Sequence, residues 1–327
     1  MKVLVLGGAG YIGVMTTVHL LRQGFEVSVF DKCIFGASPL LAFSDPSFRF
    51  FHGDIRDADA LFAAMKGVDA VVHLAAVVGD SACLVDPVAA RSINLGGTEL
   101  ALSVAQKCDV ERFIFISTCS NYGISTPNSL TTEESPLNPL AEYAISKVLA
   151  EQAVLANATP VTTTILRFGT ICGLSPRMRF DLLVNDMARA AVLEMPIKVF
   201  APDAWRPFLH IKDAARAITH CLNVPNENLH SKIYNVLSEN YRKRDLIDLT
   251  QRYFPNAFIE VIDKPSDLRD YRVSCARIQE EINFMPNFSV EQAFLEVAQA
   301  IQQKFFLDPL WHGFSGVPES AECLQMK

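Results

Sequence analysis

Residues 3–13 read Val3-Leu4-Val5-Leu6-Gly7-Gly8-Ala9-Gly10-Tyr11-Ile12-Gly13. The leading apolar residues predict a buried strand, and the apolar periodicity that follows predicts a helix to Gln23. A glycine-rich turn between them collects free backbone N–H groups and the positive end of the helix dipole, and together these bind phosphate. Such turns also join strands to helices for structural reasons alone. The rest of the chain therefore has to decide between a phosphate site and a plain connection.

The composition is that of a large folded protein without a basic surface. The chain has 327 residues, and 50% of them are hydrophobic, which suffices for two domains or one large α/β domain with an extra lobe. The formal net charge of −7 disfavours nucleic acid and anionic membranes as partners, because both require a basic surface. A local arginine pocket for one phosphorylated ligand remains compatible with this charge.

Cysteine usage and the first residues indicate a cytoplasmic protein. None of the 8 cysteines forms a C-x-x-C pair, and most lie in apolar stretches, as reduced thiols do. Met1 leads directly into an apolar strand without a cleavage site, and no apolar stretch is long enough to cross a bilayer. No cluster of His, Cys and Asp has the spacing of metal ligands, so we expect no metal.

Strands and helices alternate through the first half of the chain. Strands are predicted at residues 3–6, 25–31, 48–51, 70–74, 112–116 and 161–167, and helices end at about residues 23, 66, 107 and 156. This alternation predicts a Rossmann-type, doubly wound parallel α/β sheet with right-handed crossovers. Ligands of such sheets bind beyond the carboxyl ends of the strands, where the glycine turn and several polar residues fall.

The pattern loosens after residue 170, which indicates a smaller mixed α/β C-terminal lobe facing the ligand edge. We assign residues 1–170 to a dinucleotide-binding domain, with 205–225 packing back onto it. Residues 171–204 and 226–308 form the expected substrate lobe, and 309–327 a tail. In the lobe a helix is expected to run through Asn185, and short strands are expected at 233–236 and 258–261.

An acidic residue ends the second predicted strand. Asp31 lies about twenty positions after the glycine turn, where dinucleotide sites bind a ribose 2′-hydroxyl. A carboxylate at that place repels the 2′-phosphate of NADP, so NAD is the expected cofactor. Lys32 follows directly, and NADP stays a possible cofactor, because an ammonium tolerates the additional phosphate.

Tyr143 and Lys147 are four residues apart on a predicted helix and therefore share one face. A tyrosine with a pKa of about 10 is a weak base at neutral pH, and a nearby ammonium is expected to lower that pKa. The pair can then exchange a hydroxyl proton while a nicotinamide carries the hydride. Thr118, just past the fifth strand, can hydrogen-bond the same substrate oxygen. Tyr-x-x-x-Lys also occurs on ordinary helix surfaces, and a threonine can simply cap a strand end.

In chain order, the motifs are Gly7-x-x-Gly10-x-x-Gly13, Asp31, Gly53-Asp54-Ile55, His73-Leu74-Ala75-Ala76, Asn94, Ser117-Thr118 and Tyr143-x-x-x-Lys147. Together they resemble the extended short-chain dehydrogenase/reductase family, and most closely its NAD-dependent epimerase/dehydratase branch, whose members act on nucleotide sugars. The resemblance extends to about residue 300.

The resemblance implies NAD at the sheet edge, with Tyr143 as acid/base, Lys147 on the ribose and Thr118 as third catalytic residue. Asp54 and Ile55 would lie near the adenine. The full set of implied cofactor contacts is Gly7, Gly10, Tyr11, Ile12, Gly13, Asp31, Lys32, Asp54, Ile55, Leu74, Ala75, Ala76, Asn94, Tyr143 and Lys147.

One departure from the family pattern bears on the reaction. Nucleotide-sugar 4,6-dehydratases carry Asp-Glu after the catalytic threonine, whereas this chain has Cys119-Ser120. A thiol and a hydroxyl replace an acid/base pair poorly, which disfavours dehydration unless Glu133 or Glu134 reaches the site.

Residues 175–185 and 269–274 resemble a subgroup that includes heptose-nucleotide 4-dehydrogenases and epimerase-like proteins. We therefore expect NAD-dependent oxidation at C4 of a nucleotide sugar, by a 4-epimerase or a 4-dehydrogenase. The alternatives are 4,6-dehydration and a non-catalytic NAD-binding regulatory protein.

The substrate diphosphate is expected in the C-terminal lobe, because the planar fork of arginine donates two hydrogen bonds to phosphate. Arg206 and Asn185 match the family positions best, whereas for Arg177, Arg179, Arg269 and Arg272 a solvated surface position is the simpler interpretation. The substrate-binding candidates are Thr118, Cys119, Ser120, Asn185, Arg206, Arg269 and Arg272. Family resemblance also implies a homodimer, formed through the helices around residues 94–105 and 143–156.

Overall fold

The computed structural model describes residues 1–125, 129–262, 268–306 and 309. Its strands are β1 (Lys2–Leu6), β2 (Glu26–Asp31), β3 (Phe48–His52), β4 (Ala70–His73), β5 (Arg112–Thr118), β6 (Thr162–Phe168), β7 (Thr170–Cys172), β8 (Ile197–Phe200), β9 (Trp205–His210), β10 (Lys232–Val236), β11 (Glu239–Arg242) and β12 (Ile259–Ile262). Almost all of the expected tail, 309–327, lies outside the described residues.

The α-helices are α1 (Tyr11–Arg22), α2 (Ala58–Met65), α3 (Asp80–Val85), α4 (Pro87–Arg91), α5 (Gly97–Lys107), α6 (Glu142–Ala156), α7 (Leu183–Val192), α8 (Ile211–Asn223), α9 (Lys243–Tyr253), α10 (Ala276–Ile282) and α11 (Val290–Gln302). Short 3₁₀ turns cover Ser38–Ala42, Cys119–Tyr122 and Asn226–Asn228, and a π-helical turn covers Ser92–Gly96. Among the described residues, no helix is long and apolar enough to cross a membrane.

A parallel sheet in the order β10-β6-β5-β4-β1-β2-β3 forms the centre of the molecule. The order reverses direction on either side of β1, which makes the sheet doubly wound and confirms the predicted Rossmann-type α/β fold. β10 is one of the two outer strands of this sheet, although its residues were expected in the smaller lobe. The sequence predicted a strand at residues 233–236. Its pairing with β6 was not predictable, because it depends on contacts between distant parts of the chain.

Alternating side chains of the strands pack against helices on both faces of the sheet. Val3 and Val5 of β1 join the core formed with α1, α7, α8 and α11, whereas Leu4 and Leu6 join the core formed with α2, α5 and α6. This burial on both faces explains why the parallel strands are almost continuously apolar in sequence. It also leaves only the strand ends open for a ligand.

The smaller lobe contains two further sheets, in the orders β11-β9-β7 and β12-β8. β7 begins two residues after β6, and β9 leads directly into α8, which packs against α1. These short connections hold the lobe over the carboxyl ends of the central strands. The helix expected to run through Asn185 is present and extends from Leu183 to Val192.

The expected helix over residues 86–107 is interrupted by the π-helical turn Ser92–Gly96. Its N-terminus forms as predicted, because the Asp86 side chain accepts from Ala89 N and proline follows as first helical residue. π-helical turns frequently occur at functional sites. Here the turn carries Asn94.

Candidate active site

The strand ends and the lobe enclose a cavity of about 670 Å³. Most of the residues selected from the sequence line it together. They are Gly7, Gly10, Tyr11, Ile12, Gly13, Asp31, Lys32, Asp54, Ile55, Leu74, Ala75, Ala76, Thr118, Ser120, Tyr143, Lys147, Arg206 and Arg269. Four candidates are not among the lining residues: Asn94, Cys119, Asn185 and Arg272.

The glycine turn is shaped for a ligand that approaches the backbone closely. Gly7 has φ +82°, and a Cβ added to it would come within 2.6 Å of the backbone nitrogen of Ala75. A Cβ on Gly13 would collide with the backbone of Gly7 and Gly8. Side chains are thus excluded where the strand meets α1, and the N-terminus of α1 stays open to the cavity. This geometry fits the pyrophosphate of a dinucleotide.

Asp31 ends β2 and holds the glycine turn in place. Its carboxylate accepts from Ala9 N at 2.9 Å and from Cys33 N at 2.7 Å. Burial raises the pKa of Asp31, and these two backbone hydrogen bonds oppose the rise. The carboxylate therefore lies within the cavity beside the turn.

Lys32 lines the cavity, and its ammonium pairs with Asp54 at 3.0 Å. Asp54 also pairs with Arg56 at 2.7 Å. Burial alone would raise the pKa of Asp54, but the hydrogen bonds from Arg56 and Lys32 hold it well below its usual value. Two cations thus share one carboxylate at the edge of the cavity.

Asn94 lies beneath the cavity rather than in it. Its side chain accepts from Val77 N at 2.7 Å and donates to Val77 O at 3.0 Å. A further hydrogen bond of 3.0 Å joins its amide to Ser146 Oγ on α6. Asn94 therefore ties the loop after β4 to the helix that carries Tyr143 and Lys147.

Thr118, Tyr143 and Lys147 all line the cavity, the first from the end of β5 and the other two from one face of α6. The Thr118 hydroxyl accepts from Ser120 N at 3.1 Å. Lys147 is 3% exposed, and its Nζ lies 4.1 Å from the ring centroid of Phe115.

The pKa values of this pair differ from the expectation. Burial lowers the pKa of Lys147 to about 7, which the carboxylate of Glu151 opposes. Burial raises the pKa of Tyr143, and Arg179 and Arg269 counteract the rise. The expected lowering by Lys147 is not found in the protein alone, because the loss of solvation of the buried phenol outweighs the attraction of nearby cations.

A buried polar network under the site was missed in the sequence. Arg167 on β6 and Glu151 on α6 form an ion pair of 2.6 Å, with both side chains 3% exposed. Ser117 Oγ donates to Glu151 at 2.5 Å, and Asn121 Nδ2 donates to the same carboxylate at 2.9 Å. Arg167 also donates to Tyr122 Oη at 2.9 Å. Glu151 is four residues after Lys147 on the buried face of α6, and that spacing was the available signal.

On the lobe side, Ser120 is held by two residues that follow β12. Arg269 Nη1 donates to Ser120 Oγ at 3.3 Å, and the Tyr271 hydroxyl lies 3.5 Å from the same oxygen. Arg269 Nη2 lies 3.5 Å from Asp80 Oδ2 at the start of α3. Arg206 also donates to the carbonyl oxygen of Arg269. These contacts join both halves of the molecule across the cavity.

Further charged residues of the lobe line the cavity, and sequence reasoning did not place them there. They are Arg177, Arg179, Asp181, Lys198 and Lys243, together with Asp80 from the dinucleotide side. Arg177 and Arg179 were read as solvated, whereas the first stacks 4.6 Å from the ring of Phe35 and the second is bidentate on Asp181. The lobe thus presents more positive than negative groups to the cavity.

Cys119, Asn185 and Arg272 are occupied elsewhere. Cys119 is 1% exposed, its Sγ lies 3.2 Å from the carbonyl oxygen of Arg167, and burial raises its pKa. Asn185 is fully buried and bonds Gly173 N and Tyr11 Oη. Arg272 stacks on Trp205 at 5.0 Å. Burial of the first two, which sequence periodicity did not reveal, separates them from the ligand space.

Glu133 and Glu134 also point away from the cavity. Glu133 accepts from Asn235 N at 2.7 Å and its side chain is 3% exposed, while Glu134 pairs with Arg277 outside. Within the part of the chain that the structure describes, no group of three or more His, Cys, Asp and Glu is arranged to hold a metal ion.

The chain is similar to known proteins over most of its length. It is 26% identical over 303 residues to a putative UDP-glucose 4-epimerase of Methanocaldococcus jannaschii, a match that covers 90% of this chain and 96% of the relative. A UDP-glucose 4-epimerase of Lactobacillus helveticus is 33% identical over 180 residues, which is 54% of this chain and 53% of that protein. Here the aligned region spans about half the length of the relative.

The fold is shared with solved enzymes. The dTDP-glucose 4,6-dehydratase DesIV from Streptomyces venezuelae, solved with NAD and TYD, superposes with a TM-score of 0.83 at 26% identity, covering 95% of this chain and 100% of DesIV. The family model described as NAD dependent epimerase/dehydratase matches residues 3–236. With the glycine turn, the acidic end of β2 and the Thr-Tyr-Lys set in one cavity, this match shows that the chain belongs to the NAD-dependent epimerase/dehydratase family of enzymes.

Proposed function

We propose that this protein oxidises C4 of a nucleotide-activated sugar with NAD, as a 4-epimerase or a 4-dehydrogenase. The observation that carries the proposal is the convergence of Thr118, Tyr143 and Lys147 with the glycine turn in one cavity. A hydroxyl proton can be removed there beside the place where a dinucleotide fits. The excess of cations on the lobe side suits the diphosphate of the substrate.

The cofactor would be held by the dinucleotide half of the cavity. The turn at Gly7–Gly13 would take the pyrophosphate, and Asp31 the adenosine ribose. Because Lys32 is paired with Asp54, it offers a 2′-phosphate no unshared ammonium, which favours NAD over NADP. When bound, NAD supplies the hydride acceptor and a positive nicotinamide ring.

The protein groups would move the proton. Tyr143 takes it from the C4 hydroxyl, and Thr118 holds the same oxygen in line. The raised pKa of Tyr143 has to fall for this step, so positive charge is required nearby. Lys147 one turn along α6 and the guanidinium groups of Arg179 and Arg269 are the candidate sources within this chain.

Dehydration is the weaker alternative, because the residues after Thr118 do not offer a carboxyl pair. Cys119 is buried with a raised pKa, and Glu133 and Glu134 are bound outside the cavity. Of the two residues that follow Thr118, only Ser120 lines the cavity. After oxidation, this supports either return of the hydride to the sugar or release of the 4-keto sugar with the hydride left on the cofactor, rather than loss of water.

Tyr143→Phe tests the proposal. Removal of the phenol oxygen deletes the acid/base group while the glycine turn stays intact. We expect NADH formation from nucleotide sugars to fall by about 10²- to 10⁴-fold, with NAD affinity unchanged. NADH is followed by absorbance, NAD affinity by calorimetry, and the product by mass and NMR.

Full turnover by Tyr143→Phe would contradict the assignment of Tyr143. In the unaltered protein, a product that has lost water identifies a dehydratase. An inverted C4 identifies an epimerase, and a free 4-keto sugar identifies a dehydrogenase.

A further inference from the structure

Arg269 lies at the reacting end of the cavity rather than at a separate phosphate subsite. Its Nη1 donates to Ser120 Oγ at 3.3 Å, and Ser120 N donates in turn to the Thr118 hydroxyl at 3.1 Å. One residue therefore separates the guanidinium from the hydroxyl assigned to the reacting oxygen. Burial raises the pKa of Tyr143, and this guanidinium opposes the rise, in line with its placement.

Both partners of the Arg269–Ser120 contact are fixed from the lobe. The Arg206 side chain donates to the carbonyl oxygen of Arg269, and Tyr271, 2% exposed, reaches Ser120 Oγ at 3.5 Å. The Arg206 guanidinium lies 5.8 Å from the Tyr271 ring. A group held by such contacts is positioned before a ligand arrives, which limits the entropy lost on binding.

The ion pair between Arg269 and Asp80 is a long one. Asp80 Oδ2 lies 3.5 Å from Nη2, whereas hydrogen bonds between guanidinium and carboxylate are usually about 2.7–2.9 Å. The two side chains are 27% and 35% exposed, and both line the cavity. A ligand carboxylate with better geometry could therefore replace Asp80 at the guanidinium.

We propose that Arg269, together with Ser120, binds a carboxylate on the sugar, so that the substrate is a nucleotide hexuronic acid. This inference rests on the proposed oxidation at C4. The carboxyl carbon of a hexuronic acid is bonded to C5, the neighbour of C4, which places its oxygens beside the reacting hydroxyl. The planar fork of arginine matches a carboxylate, and Ser120 adds a hydroxyl donor.

The diphosphate does not need Arg269. Lys198, Arg206 and Lys243 line the cavity from β8, β9 and α9 and supply positive charge elsewhere in the lobe. A hexose with a neutral hydroxymethyl group would leave the guanidinium opposite a group without charge. Arg269 can thus distinguish a sugar that carries a carboxylate, in addition to the diphosphate, from a sugar with a neutral hydroxymethyl group.

Binding of matched pairs tests this inference. Calorimetry with the NAD-loaded protein compares the glucose and glucuronate derivatives of the same nucleoside diphosphate, for uridine, guanosine, cytidine and thymidine. We expect the glucuronate of the accepted nucleotide to bind roughly 10- to 100-fold more tightly, as for one charge-assisted contact. Arg269→Gln should abolish this preference, and Arg269→Lys should retain part of it.

Two further variants sharpen the comparison. Asp80→Asn removes the competing carboxylate and should raise glucuronate affinity, with little change for glucose. Arg252→Gln is the matched control, because Arg252 is exposed on α9 and pairs with Glu291 outside the cavity. It should leave both affinities unchanged, and NAD binding by every variant shows that it is folded.

The outcomes separate the two proposals. A glucose derivative that is oxidised at C4 and binds as tightly as the glucuronate overturns the hexuronate inference and leaves the proposed function standing. An equal loss of both affinities in Arg269→Gln does the same. Absence of binding by every pair contradicts the proposed function itself.

Discussion

A single buried lysine shows how function and stability conflict at the residue scale. Lys147 is 3% exposed, lies against the Phe115 ring and has a pKa lowered to about 7 by burial. In the unfolded chain the same ammonium has a pKa of about 10.4. Folding therefore forces the side chain toward its neutral form. The fold retains a destabilising group at the place where the proposed chemistry needs positive charge.

Replacement of this lysine by methionine should separate the two effects. We expect Lys147→Met to reduce NADH formation by about 10²- to 10⁴-fold. We also expect the free energy of unfolding of the NAD-free protein to rise by about 1–4 kcal/mol near neutral pH, because a buried charge is removed. The stability is measured by urea unfolding at several pH values.

The lowered pKa of Lys147 also makes the free energy of unfolding depend on pH. Between about pH 7 and pH 10 the unfolded chain holds a proton that folded Lys147 has lost, so stability rises with pH in the parent protein. That slope should be smaller in Lys147→Met and unchanged in Lys66→Met, whose lysine is exposed just after α2. If the unfolding free energy changed with pH equally in all three proteins, burial would not lower the pKa of Lys147.

At the scale of the element, α6 carries three functionally important residues on one side, each one turn after the previous one. Tyr143 and Lys147 face the cavity, and Glu151, one turn further, is buried against Arg167 of β6. Ser117 of β5 donates to the same carboxylate. The helix that supplies the acid/base pair is thereby locked to the two strands whose ends form the site.

Glu151→Leu should cost about 3–5 kcal/mol of unfolding free energy, because it leaves the Arg167 guanidinium buried without its counter-charge. The double variant Glu151→Leu/Arg167→Met should recover most of this loss. Urea unfolding of both single variants and the double variant forms a thermodynamic cycle. Losses that simply add would mean that the two side chains do not act as a pair.

The same helix shows what the sequence could predict. The spacing of Tyr143 and Lys147 is local, so their shared face followed from helical geometry alone. The partner of Glu151 is Arg167, which lies 16 residues further along the chain on strand β6. Hydrogen-bond partners at such separations are determined by tertiary packing. The π-helical turn around Asn94 was also missed, because its 5 residues are too few to show a period of their own.

At the scale of the whole molecule, the central sheet was predictable and the lobe was less so. Alternation of Val3 and Val5 with Leu4 and Leu6 determines two buried faces, and such strands are recognised one at a time. Lys198 and Lys243 reach the same cavity from β8 and α9. No local pattern relates two residues so far apart, so the contribution of these two lysines to the charge of the lobe side emerged only in the structure. The homodimer stays a prediction.

The glycine turn is joined to the lobe by hydrogen bonds of Tyr11. Its hydroxyl donates to Gly173 O at 2.6 Å and accepts from Asn185 Nδ2 at 3.0 Å, and Ser175 Oγ donates to Tyr11 O at 2.9 Å. Tyr11 itself lines the cavity at the start of α1. Asn185 thus touches the lobe and the cofactor half at once, although it was expected to bind the substrate diphosphate.

These two interpretations of Asn185 predict different losses in Asn185→Ala. If it positions Tyr11, the variant should bind NAD roughly tenfold more weakly, equivalent to 1.4 kcal/mol. Its unfolding free energy should fall by about 1–3 kcal/mol, because Gly173 N loses its buried acceptor. If it binds the diphosphate, only the affinity for the nucleotide sugar should fall. Calorimetry with each ligand decides, and Asn157→Ala, an exposed asparagine after α6, is the matched control.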